Sequence, residues 1–157
     1  MSIEYFIIAM DDSCTKQDVL SAFEPYWKKL EKDHILFDHS ENYYLLNYGE
    51  DDDCHFNITL NKEGNAVKGV TIFRPCRSSD MEQSVYKLIS QFPMFMTYPT
   101  TPVLLVTANS KCVQIIIDEN PELLEDLTVV DSFESYLKTA LLHKPSIKSL
   151  FSNIISK

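Results

Sequence analysis

The sequence predicts an α+β protein: a single domain with a mostly antiparallel sheet, helices packed against it and an amphipathic C-terminal helix. Short apolar runs rich in aromatic and β-branched residues are separated by turn residues, which is typical of strands joined by hairpins. Other segments place apolar residues three and four positions apart, which predicts helices. We find no linker, repeat or low-complexity tract, so one domain is expected over residues 1–157.

The N-terminal segment predicts a strand followed by a helix. Residues 3–10 (IEYFIIAM) form an apolar run that ends at an acidic turn. Thr15 and Asp18 have the spacing of a capping box, and apolar residues then recur at helical spacing over 15–32. Because proline costs about 3 kcal/mol inside a helix, the alternative is that Pro25 splits this element into a short first turn and a second helix that starts near Glu24.

The next segment predicts strands and one clear hairpin. Residues 35–37 and 43–48 are short apolar runs, and 49–53 is expected to be a loop. Polar and apolar residues alternate over 55–60, so one face of this strand should be exposed to water. A turn then leads to a strand over 67–73, which completes an antiparallel pair.

The second half predicts helices around another hairpin. Ser79 and Glu82 resemble a capping box before a helical stripe, and Met94–Tyr98 lies between prolines and is interpreted as a connection. The remaining expected elements are a hairpin of 103–107 with 112–117, a short helix over 121–127, a helix over 132–142 and an amphipathic helix over 146–156.

Composition favours a protein-binding role over catalysis or nucleic-acid binding. The net charge is -9, which repels nucleic acid and anionic membranes. The three glycines form no phosphate-binding loop, no G-x-S-x-G motif is present, and no histidine pair has metal-ligand spacing. Asp51 opens a calcium-loop-like run, but Phe56 and Lys62 replace its glycine and glutamate. We therefore expect no cofactor, no metal and no catalytic residue.

The cysteines and the N-terminus favour a cytoplasmic protein. The four cysteines contain no C-x-x-C pair, and residues 1–10 lack the pattern of a signal peptide. We expect reduced cysteines that serve mostly as small core residues. Cys14, near a predicted helix start, is the alternative as a reactive thiol. No run approaches the roughly 20 apolar residues of a membrane helix.

Acidic residues are concentrated in two stretches without lysine or arginine. Each stretch, 33–61 and 112–137, contains seven acids, and together they hold 14 of the 23 in the chain. Like charge at this density favours association with a cationic partner, and tyrosine suits such an interface. The alternative is that the acids solvate loops and the tyrosines pack in the core. The expected partner-binding residues are Tyr48, Glu50, Asp51, Asp52, Asp53, Asp118, Glu119 and Glu122.

One block of the chain resembles a known class of proteins. Residues 69–75 (GVTIFRP), a capped helix and residues 95–99 (FMTYP) are similar to a strand, Arg-Pro, helix, strand block of some immunity proteins of bacterial polymorphic-toxin and contact-dependent inhibition systems. The resemblance implies binding and inhibition of a cognate toxin domain, often a basic nuclease. The alternatives are a small enzyme or ligand-binding domain with a pocket near Met94–Tyr98, and an adaptor or chaperone-like protein that uses the tail. The oligomeric state stays open.

Overall fold

A computed structural model describes residues 4–29, 42–48, 53–73, 75–76, 78–98 and 103–143. In this part of the chain one sheet contains eight strands: β1 (Glu4–Ala9), β2 (Trp27–Lys29), β3 (Tyr43–Asn47), β4 (Asp53–Leu60), β5 (Val67–Phe73), β6 (Met94–Tyr98), β7 (Leu104–Thr107) and β8 (Leu127–Val129). The strand order is β2-β3-β4-β5-β1-β6-β7-β8. Neighbours are antiparallel except β7 and β8, which are parallel, so the predicted α+β class is confirmed.

Helices lie on both faces of this sheet. They are α1 (Lys16–Ala22), α2 (Ser79–Gln91), α3 (Ser110–Glu119), the 3-10 helix (Pro121–Asp126) and α4 (Phe133–His143). Buried residues of α1, α2 and α4 join the main core cluster, whereas α3 forms a smaller cluster on the other side. Alternation along β6 separates the clusters, because Met96 belongs to the first and Phe95 to the second.

Several sequence predictions are confirmed in detail. The Thr15 hydroxyl accepts the Asp18 N–H at 3.2 Å, and the Asp18 carboxylate accepts the Thr15 N–H at 2.9 Å, which is the predicted capping box. β4 and β5 form the predicted hairpin, whose turn places Gly64 at φ +75°. A side chain at that φ would be strained, which explains the glycine.

The predicted helix over 15–32 is wrong for residues 23–29, where no second helix starts near Glu24 either; residues 30–32 lie outside the described residues. The chain leaves α1 at Phe23, passes a cis Glu24–Pro25 peptide and enters strand β2. Pro25 has no N–H to donate to a helical carbonyl, so the helical spacing cannot continue through it. Trp27, which the helical spacing placed in that predicted helix, begins β2 instead. Its ring contacts the Tyr44 ring edge-to-face, with ring centroids 5.4 Å apart.

Two further predictions in the second half are wrong. Met94–Tyr98 is strand β6 between β1 and β7, not a connection, and residues 112–117 belong to helix α3, not to a hairpin. Asn109 begins this helix, because its side-chain oxygen accepts the Cys112 N–H at 3.0 Å. The expected short helix is present in 3-10 form over Pro121–Asp126, and Leu127 begins β8.

One cysteine prediction is also wrong. Cys54 on β4 and Cys76, just before α2, form a disulfide, whereas Cys14 and Cys112 are free and buried. The two bonded residues are 22 positions apart, and sequence spacing alone does not reveal that the sheet brings them together. The predicted strand 35–37 and the predicted tail helix 146–156 lie outside the described residues. None of the described helices is long and apolar enough to cross a membrane.

Candidate functional site

Five exposed carboxylates follow one another at one end of the sheet. We call them the acidic ridge: Asp118, Glu119, Glu122, Glu125 and Asp126. The first two end α3 and the other three lie in the 3-10 helix. The ridge thus contains three of the predicted partner-binding residues, Asp118, Glu119 and Glu122, and all three are exposed.

The chain folds back tightly between α3 and the 3-10 helix, which brings the ridge together. The Asn120 N–H donates to the Ile116 carbonyl at 2.9 Å, and the Leu123 N–H donates to the Asn120 carbonyl at 3.0 Å. Leu123 packs against the small cluster that contains Cys112 and Ile116. Apolar side chains therefore anchor this turn on the inside, and the carboxylates are left on the outside.

Charge pairing distinguishes the ridge from the acids of the loop after β1. In that loop, Lys111 lies 3.1 Å from Asp11 and Lys68 lies 3.2 Å from Asp12. Across the described residues, no lysine or arginine lies within 4.0 Å of a ridge carboxylate. Among these residues, no cationic side chain neutralises the negative charge of the ridge. Such a surface attracts a cationic partner.

The helix dipole adds to this imbalance. Asp118 and Glu119 lie in the last turn of α3, where the unpaired carbonyl groups carry partial negative charge, and that turn contains no basic residue. The only described relief is a hydrogen bond of 3.0 Å from the Gln114 amide to Asp118. Two carboxylates at this end reduce helix stability by about 0.3–1 kcal/mol each.

Apolar side chains are exposed beside the ridge. Ile117 on α3 is 44% exposed, Leu124 in the 3-10 helix is 39% exposed, and Val129 on β8 is 57% exposed. Val129 points to the same face of the sheet as Leu127, which contacts the small cluster under α3. These exposed apolar side chains can supply contact area to a partner protein.

Asp53, the one acid of the first stretch among the described residues, lies apart from the ridge. Glu50, Asp51 and Asp52 are outside the described residues, and Asp53 begins β4, opposite Asn47, so its assignment to a loop is corrected. β4 and β8 start at the same end of the sheet but are separated by five strand spacings, or roughly 24 Å. Asp53 and the ridge therefore do not lie in one small patch.

Tyr48 is directed into the protein. Its ring stacks on Tyr26 with centroids 4.4 Å apart and packs against the main core cluster, and its hydroxyl donates to the Ser84 hydroxyl at 3.3 Å. Burial raises the pKa of Tyr48 above its ordinary value. These contacts match the alternative that this tyrosine packs in the core.

A buried carboxylate on α2 was not predicted from the sequence. Glu82 is 3% exposed and accepts hydrogen bonds of 2.6 Å from the hydroxyls of Tyr5 on β1 and Tyr136 on α4. Burial raises the pKa of Glu82 to about 7. Ser78, not Ser79, caps α2, by accepting the Asp80 N–H at 3.1 Å, so Glu82 has no capping role.

Glu82 could have been found by its position. It lies three and seven residues before Val85 and Ile89, on the buried stripe of α2. Tyr5 and Tyr136 are fully buried, so this cluster joins three elements of the core and is not open to a substrate.

The residues singled out for other chemistry give no open site. Burial raises the pKa of the Cys14 thiol to about 12, which opposes the thiolate form, although Cys14 lies beside the start of α1. The segment predicted to line a pocket, Met94–Tyr98, has Met94 and Met96 in one core cluster and Phe95 in the other. In the described part of the chain, no group of three histidine, cysteine or acidic side chains could hold a metal ion.

Comparisons with known proteins give no family assignment. No family model, no curated protein and no solved structure matches the chain.

Proposed function

We propose that this chain is a non-enzymatic binding protein that neutralises a cationic partner protein through the acidic ridge. The observation that carries the proposal is the absence of lysine or arginine within 4.0 Å of any ridge carboxylate, in the part of the chain described. Such a surface steers a basic partner into contact, and the exposed Ile117, Leu124 and Val129 beside it supply apolar contact area.

The proposed partner is a toxin domain, which makes the chain an immunity protein. This step rests on the resemblance of residues 69–75 and 95–99 to immunity proteins. A nuclease toxin has a basic surface for its nucleic-acid substrate, and the ridge carboxylates resemble that substrate in charge. Binding without turnover, metal or cofactor is sufficient for this role.

A cytoplasmic location is part of the proposal. The disulfide between Cys54 and Cys76 is the observation against it, because disulfides are rare in that compartment. Both cysteines are buried, on β4 and before α2, whereas the ridge belongs to α3 and the 3-10 helix. We therefore expect equal partner affinity with and without a reductant; a large loss on reduction would contradict the cytoplasmic assignment.

The test is a binding titration with a toxin domain encoded upstream of this gene or, where there is none, with a partner recovered by pull-down. The triple variant Asp118→Asn, Glu119→Gln, Glu122→Gln should weaken binding by at least about tenfold. Association of the wild-type protein with the toxin domain should become slower as the salt concentration rises. The control is Glu63→Gln, because Glu63 is an exposed acid in the β4–β5 turn, outside the ridge. Equal loss in the control, or none in the triple variant, would remove the ridge from the interface.

A further inference from the structure

We propose that β8 is a docking edge to which a basic, extended segment of a partner protein adds as a further strand. The inference rests on the proposed function and names how the partner is held. β8 lies at the end of the strand order and pairs only with β7 in the described part of the sheet. A sheet edge of this kind offers backbone groups to another chain.

The hydrogen-bond register identifies the free groups. The Val130 N–H donates to the Thr107 carbonyl at 2.9 Å, so Val130 directs its backbone towards β7. Residues two positions apart in a strand direct their N–H and C=O groups to the same side. The backbone groups of Thr128 therefore also point towards β7, and those of Val129 point outward, away from β7. Val129 is 57% exposed, and in the described part of the sheet only β7 pairs with β8, so the outward side of Val129 has no strand partner there.

Charge specifies a basic occupant. Asp126 immediately precedes β8 and Asp131 lies two residues after Val129, and both are exposed. An extended segment paired with Val129 would therefore place its flanking side chains near carboxylates at both ends. Lysine or arginine in those positions gives opposite-charge pairs, and an acidic segment gives like-charge pairs that oppose binding.

The same acids disfavour a second copy of this chain as the occupant. Antiparallel pairing of two β8 strands would bring Asp126 of one copy towards Asp131 of the other, which places like charges across the pair. The other edge strand, β2, has exposed Lys28 and Lys29, and lysine is a residue that protects sheet edges from pairing. β8 contains no charged residue within Leu127–Val129.

The decisive variant is Val129→Pro, which removes the outward N–H. Proline is tolerated on an edge strand where the N–H faces solvent, so the ladder to β7 should be kept. Val129→Thr is the matched control, because it keeps the N–H and the branched shape. Thr128→Pro removes an inward N–H and should destabilise the fold, which checks the register.

The probe is a fluorescent extended peptide of alternating lysine and valine, and binding is followed by anisotropy at low ionic strength. We expect Val129→Pro to weaken binding by about three- to tenfold for each backbone hydrogen bond lost, and Val129→Thr to bind like the wild type. A peptide of alternating glutamate and valine should bind much more weakly. A lysine–valine peptide N-methylated along one backbone edge should lose binding in the same way.

Each outcome decides the inference. Equal binding of the N-methylated peptide, or unchanged binding by a folded Val129→Pro protein, would show attraction by charge alone and would overturn it. Concentration-dependent dimers that Val129→Pro abolishes would assign the edge to a second copy and would also overturn it. If the toxin domain binds and responds to the ridge triple variant but not to Val129→Pro, this inference fails and the proposed function stands. If Val129→Pro weakens binding of the peptide but no toxin domain binds the protein, this inference stands and the proposed function fails.

Discussion

The buried carboxylate of Glu82 and the exposed carboxylates of the ridge show two opposite treatments of acidic residues in one chain. Glu82 is enclosed by the core and accepts two tyrosine hydroxyls at 2.6 Å. The ridge acids face solvent, and Asp118 and Glu119 lie at the unfavourable end of a helix dipole. The difference indicates that Glu82 contributes to the fold, whereas the ridge reduces local stability, as we expect of the surface proposed for association.

The largest effect is expected from Glu82→Ala. This change leaves the hydroxyls of Tyr5 and Tyr136 buried without their shared acceptor and opens a cavity between β1, α2 and α4. We expect a loss of about 3–5 kcal/mol in the free energy of unfolding, measured by urea denaturation at pH 5.5. Glu63→Ala, at an exposed turn acid, is the control and should change it by less than about 0.5 kcal/mol. A tolerated Glu82→Ala variant would break the contrast between the two regions.

The pH dependence of stability should carry the signature of Glu82. Its pKa rises from an ordinary 4.5 to about 7 on folding, so between these values the folded state binds more protons than the unfolded state. This contribution to stability is fully present below pH 4.5 and is lost as pH rises through 7, by roughly 3 kcal/mol in all. The measurement is the wild type minus Glu82→Gln difference in unfolding free energy from pH 4.5 to 8. A flat difference would contradict the raised pKa.

The two acidic stretches can be compared directly as binding surfaces. Asp51→Asn combined with Asp52→Asn and Asp53→Asn should leave folding intact, and the ridge triple variant should do the same. Because Asp53 and the start of β8 are roughly 24 Å apart, a small interface at either position excludes the other, and a large interface engages both. We expect the ridge variant to slow association with the toxin domain by several-fold, measured by stopped flow. A greater effect of the 51–53 variant would move the interface to that stretch.

Sequence patterns predicted the elements that are set by local rules. Thr15 with Asp18 defines a helix start by itself, and alternation over 55–60 defines a strand whose apolar residues Phe56 and Ile58 are buried. Failures came where tertiary contacts decide. Short apolar runs such as 112–117 fit a strand or a helix. The sequence of β6 does not alternate between polar and apolar residues, because side chains on both of its faces are buried.

The candidate site was predictable in part for the same reason. Counting charges found Asp118, Glu119 and Glu122, because a stretch without lysine or arginine is visible in the sequence. Among the described residues, it is the fold that leaves the ridge carboxylates without a lysine or arginine partner. Lys111 is an example, because it pairs with Asp11 and not with the ridge. Glu82 was assigned to a cap because local spacing suited that role, whereas burial between Tyr5 and Tyr136 depends on residues far along the chain.

The smallest expected effect has the opposite sign and sharpens the comparison most. Asp118→Asn combined with Glu119→Gln removes two negative charges from the last turn of α3, where the helix dipole opposes them. The unfolding free energy should therefore rise by about 0.6–2 kcal/mol, while affinity for the cationic partner falls. Thermal denaturation at low ionic strength gives the first quantity, because salt screens the dipole, and a titration gives the second. The matched control is Glu134→Gln in the first turn of α4, where a negative charge is favourable and its loss should lower stability slightly. If the ridge variant were less stable than the wild type, its carboxylates would be structural like Glu82, and the assignment of the ridge to binding would lose its physical basis.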